Sequence, residues 1–231
     1  KGGALVLGAR YALENGANHI LLTDADTSTN LGQSGLLLGP QIREGVDVVI
    51  GDRKTYGSVL VKDGSRSGAV TPLLRHLQRS IAPDLFELTK DTQAAFKLYS
   101  RDALAQVVES PTTYGYAVDI DWLTGAMLEG RDIKRVPFAF IDSAADSANN
   151  FQGAMNVWNN ILQGTADVAE GRKPRYNPNM LSLIRNDIDA AILEAVQDKI
   201  PAKLIKVNES ELGSEGLMTA TEVKEWLKEN I

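Results

Sequence analysis

The sequence predicts an α/β protein, a sheet with helices on both faces, and three observations predict it. Short apolar runs of strand length recur at 19–23, 46–50, 94–99 and 133–141. Stretches of helical periodicity lie between them, which is the alternation that builds a sheet covered by helices. The 231 residues are 43% hydrophobic and 23% charged, an ordinary globular balance. A chain of that length buries roughly 70% of its unfolded surface.

Each element follows from its residues. Ala4, Leu5, Leu7, Ala9, Tyr11, Ala12 and Leu13 make an apolar stripe at helical spacing over 4–15, with Gly16 at the C-terminal stop. Residues 19–23 form a strand that ends on the polar cluster from Asp24 to Asn30. A helix covers 31–43, weakened by Gly35 and Gly39. Val46 to Ile50 is a buried strand stopped by Gly51, and 51–68 is a loop of glycine, serine and charge. Over 71–81, Leu73, Leu74, Leu77 and Ile81 share one helix side, with Arg75 and Arg79 elsewhere. A strand at 94–99 precedes a short helix at 102–109 and another at 119–128, closed by Gly130. Residues 133–141 alternate and carry Pro137, the mark of an edge or terminal strand. A long helix takes 150–169.

Beyond Tyr176 the texture changes. An amphipathic stretch at 181–196 and a short ambiguous one at 202–207 precede Thr219 and Glu222, a capping box with Met218 placed to staple onto Val223. The reading is an α/β domain over 1–170 and an acidic, mainly helical extension over 171–231.

Composition removes several functions. With no cysteine there is no disulfide framework, thiolate nucleophile or cysteine zinc site. No run approaches the roughly 18 apolar residues of a membrane-spanning helix, and no signal-peptide pattern opens the chain, so a cytoplasmic protein is expected. The net charge of -6 argues against nucleic acid as a partner. It is unevenly spread: between Asp52 and Arg79, six basic residues face Asp52 and Asp63, an excess that suits phosphate groups. The chain begins at Lys1 without methionine and already in helical sequence, and a fragment is expected.

The strongest local signal is Asp24-Ala25-Asp26 directly after the strand at 19–23. Two carboxylates one residue apart at a strand's carboxyl end can grip a hard divalent cation together with phosphate oxygens. Among 17 aspartates roughly one such spacing arises by chance, and three occur, at 24/26, 119/121 and 187/189. Position distinguishes the first, whereas Asp187 and Asp189 read as a solvated helix face.

Lys1-Gly2-Gly3-Ala4-Leu5-Val6-Leu7-Gly8, the strand into Asp24-Ala25-Asp26, and Asp47-Val48-Val49-Ile50-Gly51-Asp52-Arg53 together resemble the middle of a family 2 glycosyltransferase of the GT-A fold. Asp91-Thr92-Gln93-Ala94-Ala95-Phe96-Lys97-Leu98 is similar to the D-T-Q-C-G-F-K-L segment of dolichyl-phosphate glucosyltransferase-like members. Residues 116–123 resemble the family's F-D-V-E-L block, and Arg135-Val136-Pro137 with Phe140-Ile141-Asp142 its later V-P strand. The resemblance covers about residues 1–165.

That resemblance implies a three-layer GT-A sheet whose first β-α-β units, with the nucleotide pocket, lie before Lys1. It implies an inverting, metal-dependent transfer from a nucleotide-sugar donor, with Asp24 and Asp26 holding Mg²⁺ or Mn²⁺ on the donor diphosphate. Lys1 and Arg53 match basic positions beside phosphate, and Asp24 shares that donor-side role. The catalytic acids map onto Asp91 and onto Asp119 or Asp121; these two point in different directions on a helix, so one of them faces the site, and Asp119 is favoured. The acceptor is a polyprenyl phosphate or a small hydroxyl or phosphate compound. With no transmembrane segment, contact with lipid would be peripheral. Two departures stand out: Ala95 replaces the family's glycine, and acidic Asp52 stands before Arg53, where its charge is expected to offset the arginine's pull on phosphate.

Other residues read as structural. His19 and His76 have no triad or zinc pattern around them, and Ser34, Ser65 and Ser67 lie outside any nucleophile elbow. Gly2, Gly3 and Gly8 form no phosphate-loop pattern. Phe151 and Trp158 belong to a core, and the loop at 142–149 is a candidate acceptor-side lid. Two other readings remain: a sugar-phosphate nucleotidyltransferase, and a non-catalytic glycosyltransferase-like binding module.

Overall fold

The computed structural model describes residues 1–62, 71–142, 153–205 and 218–231. In chain order its elements begin with α1 (Gly2–Glu14), β1 (His19–Thr23), a 3-10 turn (Leu31–Gln33), α2 (Ser34–Glu44), β2 (Val48–Gly51) and β3 (Val59–Lys62). Then come α3 (Thr71–Ile81), α4 (Pro83–Leu88), β4 (Phe96–Ser100), α5 (Arg101–Glu109), α6 (Val118–Leu128), β5 (Ile133–Val136) and β6 (Ala139–Asp142). The remainder is helical: α7 (Ala154–Arg172), α8 (Pro178–Asp187), α9 (Ala190–Ala195), α10 (Ala202–Ile205) and α11 (Ala220–Asn230). The chain divides into two compact units, 1–65 with 84–147, and 66–83 with 148–231. The expected boundary after residue 170 does not coincide with this division, because α7 packs with α3, α8 and α9.

The first unit is built on a mixed sheet of order β1-β4-β2-β5. β4 is antiparallel to both β1 and β2, and β2 is parallel to β5. Every side chain of β2 is buried, as a strand covered on both faces requires. Alternation along β4 sorts the two faces. Phe96 and Leu98 join Leu37 of α2, Val49 and Val136 in one apolar cluster. Tyr99 turns the other way and meets the Trp122 ring of α6 edge-on at 6.0 Å. Gly51 is needed where β2 ends, since a Cβ there would sit 2.8 Å from the Phe96 ring.

Two expected elements resolve differently. Residues 133–141 form two strands, because Pro137 lacks the N–H that would continue the ladder. The second, β6, leaves the main sheet and pairs in parallel with β3, a strand inside what the sequence suggested was all loop. Helix α4 was likewise not expected.

In the second unit, Leu73, Leu74, Leu77 and Ile81 of α3 pack with Leu162 and Ala166 of α7 and Ile184 of α8. Trp158 lies against this core half-buried, as expected. The amphipathic stretch at 181–196 is broken in two by Asp189, whose side chain caps α9 at the Ile192 N–H. The Thr219–Glu222 capping box is present, with Met218 and Val223 both buried in the same cluster. No helix among the described residues is long and apolar enough to cross a membrane. Phe151, Ser65, Ser67 and residues 143–149 of the expected lid lie outside the described residues.

Candidate functional site at the rim of the sheet

β1, β2 and β5 share one direction, so their carboxyl ends share one rim, where β4 enters. Asp24 and Asp26 follow β1, Asp52 and Arg53 follow β2, and Asp91 precedes β4. Ligands of open α/β sheets gather at such a rim.

The turn after β1 is tightly held. Asp26 Oδ1 accepts hydrogen bonds from the Ser28 N–H at 3.0 Å and the Ser28 hydroxyl at 2.6 Å. Between them Thr27 takes φ 59°, a left-handed conformation that a β-branched residue adopts only when its surroundings enforce it. The turn is fastened to β6 by the Ile141 N–H donating to the Ser28 carbonyl at 2.9 Å. The Gln33 amide clasps Ala139 from both sides, donating to its carbonyl at 2.9 Å and accepting from its N–H at 2.7 Å. Beside this turn lies a cavity of about 780 Å³, lined by Asp24, Thr27, Ser28, Leu31, Ala139 and Ile141 among others.

Four alternating charges run inward from Asp24. The Lys1 ammonium lies 3.5 Å from Asp24 Oδ1 and 3.1 Å from Asp119 Oδ2, and the Lys97 ammonium lies 2.6 Å from Asp119 Oδ1. Lys97 also donates to the Ala94 carbonyl. Local structure explains the meeting. Lys97 shares the Tyr99 face of β4, beneath α6, and Asp119 lies in the first turn of α6, where the helix dipole favours an anion. Gly2 lets the start of α1 press on the chain before α6: a Cβ there would lie 2.6 Å from the Tyr114 carbonyl carbon. The Gly2 N–H donates to the Gly115 carbonyl at 3.1 Å, which brings Lys1 beside Asp119.

These neighbours set the ionisation. Burial alone would push the Asp119 carboxyl up, but Lys97 and then Lys1 overcome it and hold Asp119 below the ordinary range. Burial pulls the Lys97 ammonium down, and Asp119 only partly restores it. Burial opposes the Lys1 charge too, yet Asp119 and Asp24 outweigh it and raise its pKa. Asp24 is pushed up, first by burial and then by the negative charges of Asp119 and Asp26, against the pull of Lys1.

Asp91 belongs to a second cluster on the same rim. Its Oδ2 accepts from the Arg53 backbone N–H at 2.8 Å and from Nε at 2.7 Å, and its Oδ1 accepts from Nη2 at 2.6 Å. Burial would raise the Asp91 pKa, but this grip and the arginine's charge hold it low. The guanidinium carbon stands 4.7 Å over the Phe140 ring. Asp52 holds the turn that carries Arg53. Fully buried, it accepts from the Lys54 N–H at 2.7 Å and the Thr89 hydroxyl at 3.0 Å, anchoring the turn. Asp91 sets its own charge directly against that of Arg53.

Asp121 has no exposed surface and accepts from the Thr112 N–H at 2.9 Å and hydroxyl at 2.7 Å. It anchors the approach to α6, while the Lys1 contacts bring Asp24 and Asp119 together. His19 contacts Gln41 at 2.6 Å and His76 the Met218 carbonyl at 2.8 Å, both structural contacts. Sequence reasoning missed Lys97 and Gln33. The signal for Lys97 was there: a lone lysine between Phe96 and Leu98 in an otherwise apolar strand.

The donor set fits a hard divalent cation shared with a ligand. Among the described residues no group of three or more histidine, aspartate or glutamate side chains is placed to cage a metal. Two carboxylates, one with an oxygen committed to Ser28, match the sparse protein coordination of Mg²⁺ or Mn²⁺ beside phosphate oxygens and water.

No family model matches the sequence. A solved structure of glucosyl-3-phosphoglycerate synthase from Mycobacterium tuberculosis, with Mn²⁺, UDP-glucose and phosphoglyceric acid, is similar at 20% identity and TM-score 0.47, over 71% of this chain and 54% of that one. The same enzyme with phosphoglyceric acid aligns at 21% identity and TM-score 0.48, over 71% and 55%. The chain spans about half the length of these structures.

Proposed function

We propose that this chain carries the metal- and diphosphate-binding rim of a GT-A, family 2 type glycosyltransferase, which moves a sugar from a nucleotide-sugar donor to an acceptor with inversion. One observation carries the reading: Asp24 and Asp26, Lys1, and the Arg53–Asp91 fork stand along a single rim, at the positions that the family motifs give them. Asp24 and Asp26 would hold Mg²⁺ or Mn²⁺, which when bound supplies positive charge for the departing diphosphate. Lys1, its charged form favoured by Asp119 and Asp24, offers a cation to the phosphate oxygens. Asp91 fixes the direction of the Arg53 guanidinium, whose planar fork matches phosphate.

The acids bear on the choice of acceptor. A hydroxyl acceptor needs a base to take its proton, and an ionised phosphate needs none. Asp91 and Asp119 are both held more acidic than an ordinary carboxylate, which makes them poor bases. We therefore favour a phosphate acceptor. The exposed side chains of Val59 and Val61 on β3, level with Ala139 and Ile141 of β6, favour one carrying a polyprenyl chain.

The test is transfer from labelled nucleotide sugars to polyprenyl phosphate, to small phosphates and to small hydroxyl compounds. Asp26→Asn is expected to lower turnover about 100-fold or more with an unchanged melting temperature. Wild-type turnover in that folded variant overturns the metal assignment, and preference for the hydroxyl compounds overturns the acceptor assignment.

A further inference from the structure

We propose that Lys97 is a positioning residue for this rim: through Asp119 it fixes the Lys1 ammonium against Asp24. The inference rests on reading the rim as a metal and diphosphate site. Lys97 is 1% exposed. Its ladder neighbours on the same face are Leu22 and Ile50, both buried hydrophobes. An apolar side chain would fill that position without the desolvation an ammonium suffers. What the ammonium adds is its bond to Asp119 at 2.6 Å and its contact with the Ala94 carbonyl.

Charge balance gives that bond a consequence at the rim. Asp119 is also buried, and its Oδ2 accepts no aligned hydrogen bond among the described residues, only the ion contact with Lys1 at 3.1 Å. With Lys97 present, one ammonium already neutralises Asp119, and Lys1 is free to divide its charge between Asp119 and Asp24. Without Lys97, the buried carboxylate would claim Lys1 entirely. The flexible four-carbon stem of Lys1 lets its ammonium move inward and leave Asp24. The rim would then lose a cation for the diphosphate while Asp24 became a freer metal ligand. Lys97 touches no ligand itself and acts two ion pairs away.

Calorimetric titration of the full-length chain tests this, first with Mn²⁺ alone and then with UDP at saturating Mn²⁺. Lys97→Met is expected to weaken UDP binding about tenfold while leaving Mn²⁺ binding undiminished, a split that mere loosening of the fold would not produce. Lys1→Met is expected to show the same loss, and the double variant no more than either single one, because both act through one ammonium. Should Lys97→Met not fold, Lys97→Gln is measured with the same expectations. Additive losses in the double variant, wild-type UDP affinity in a folded Lys97 variant, or failure of both Lys97 variants to fold overturns the proposal. A wild-type chain that binds Mn²⁺ but neither UDP nor inorganic pyrophosphate overturns the diphosphate reading itself, which separates the two failures.

Discussion

Asp119 and Lys97 show why a buried ion pair constrains a site more than it stabilises a fold. Each charge loses its hydration, and the attraction between them returns much of that only while both are present. Asp119→Asn leaves the Lys97 ammonium buried and uncompensated, so a loss of about 3 kcal/mol is expected, read as a lower denaturation midpoint. Gly2 is the other sensitive residue. Its missing Cβ would meet peptide backbone, which cannot swing aside as a side chain end can. Gly2→Ala is expected to destabilise the first unit by about 1–3 kcal/mol, read as a lower denaturation midpoint. The acids also set an acid limit. Asp91 and Asp119 have folded pKa values below their ordinary 3.8, so they contribute stability above that value and lose it as pH falls through the lowered ones. Asp24, raised, has the opposite sign, its charged form being disfavoured by folding.

Among the elements, α11 depends on its first turn. Thr219 accepts from the Glu222 N–H while Glu222 Oε2 accepts from the Thr219 N–H at 2.7 Å, satisfying two donors that the helix itself leaves open. Thr219→Ala is expected to cost about 1 kcal/mol, measurable as a lower denaturant midpoint of the second unit. The Glu222 pKa is lowered from 4.5 to about 2 by the Lys203 hydrogen bond and then by Thr219, so the cap is complete above 4.5 and fails as pH falls toward 2. In the first unit, the split between β5 and β6 shapes the cavity beside Asp24. Had the ladder run on through Pro137, Ala139 and Ile141 would have stayed with the main sheet. Leaving it, they line the cavity next to Asp24.

Over the whole molecule the two units differ in what they contribute. The first holds every candidate site residue, and the second is a helical core with a buried titratable group. His76 is 4% exposed, and burial lowers its pKa below 6.5, with Arg79 adding to the effect and the Met218 carbonyl and Glu222 opposing it. A histidine so depressed contributes stability above its ordinary pKa, and that stability is lost as pH falls through the folded value. The protection of α3 and α11 against hydrogen exchange, with rates corrected for their intrinsic pH dependence, is therefore expected to fall as pH drops below 6.5, and His76→Gln is expected to flatten that dependence. An unchanged profile in the variant would mean that another group titrates.

Local features of this protein were legible because they depend on residues a few positions apart. The helix over 71–81, the strand at 19–23, the Thr219 cap and the position of Asp24 and Asp26 after a strand all arise from periodicity and short-range polar chemistry. Contacts distant in sequence were not legible. Lys97 and Asp119 are 22 residues apart, and Arg53 and Asp91 38 apart. They meet only because strand alternation sends Lys97 to one face and antiparallel pairing returns the Asp91 loop to the end of β2. That Asp91 grips Arg53, and that Asp119 meets two lysines while Asp121 holds Thr112, was decided by packing. Carboxylates are alike in sequence, and only the groups a fold brings within a few ångströms distinguish an anchor from a functional acid.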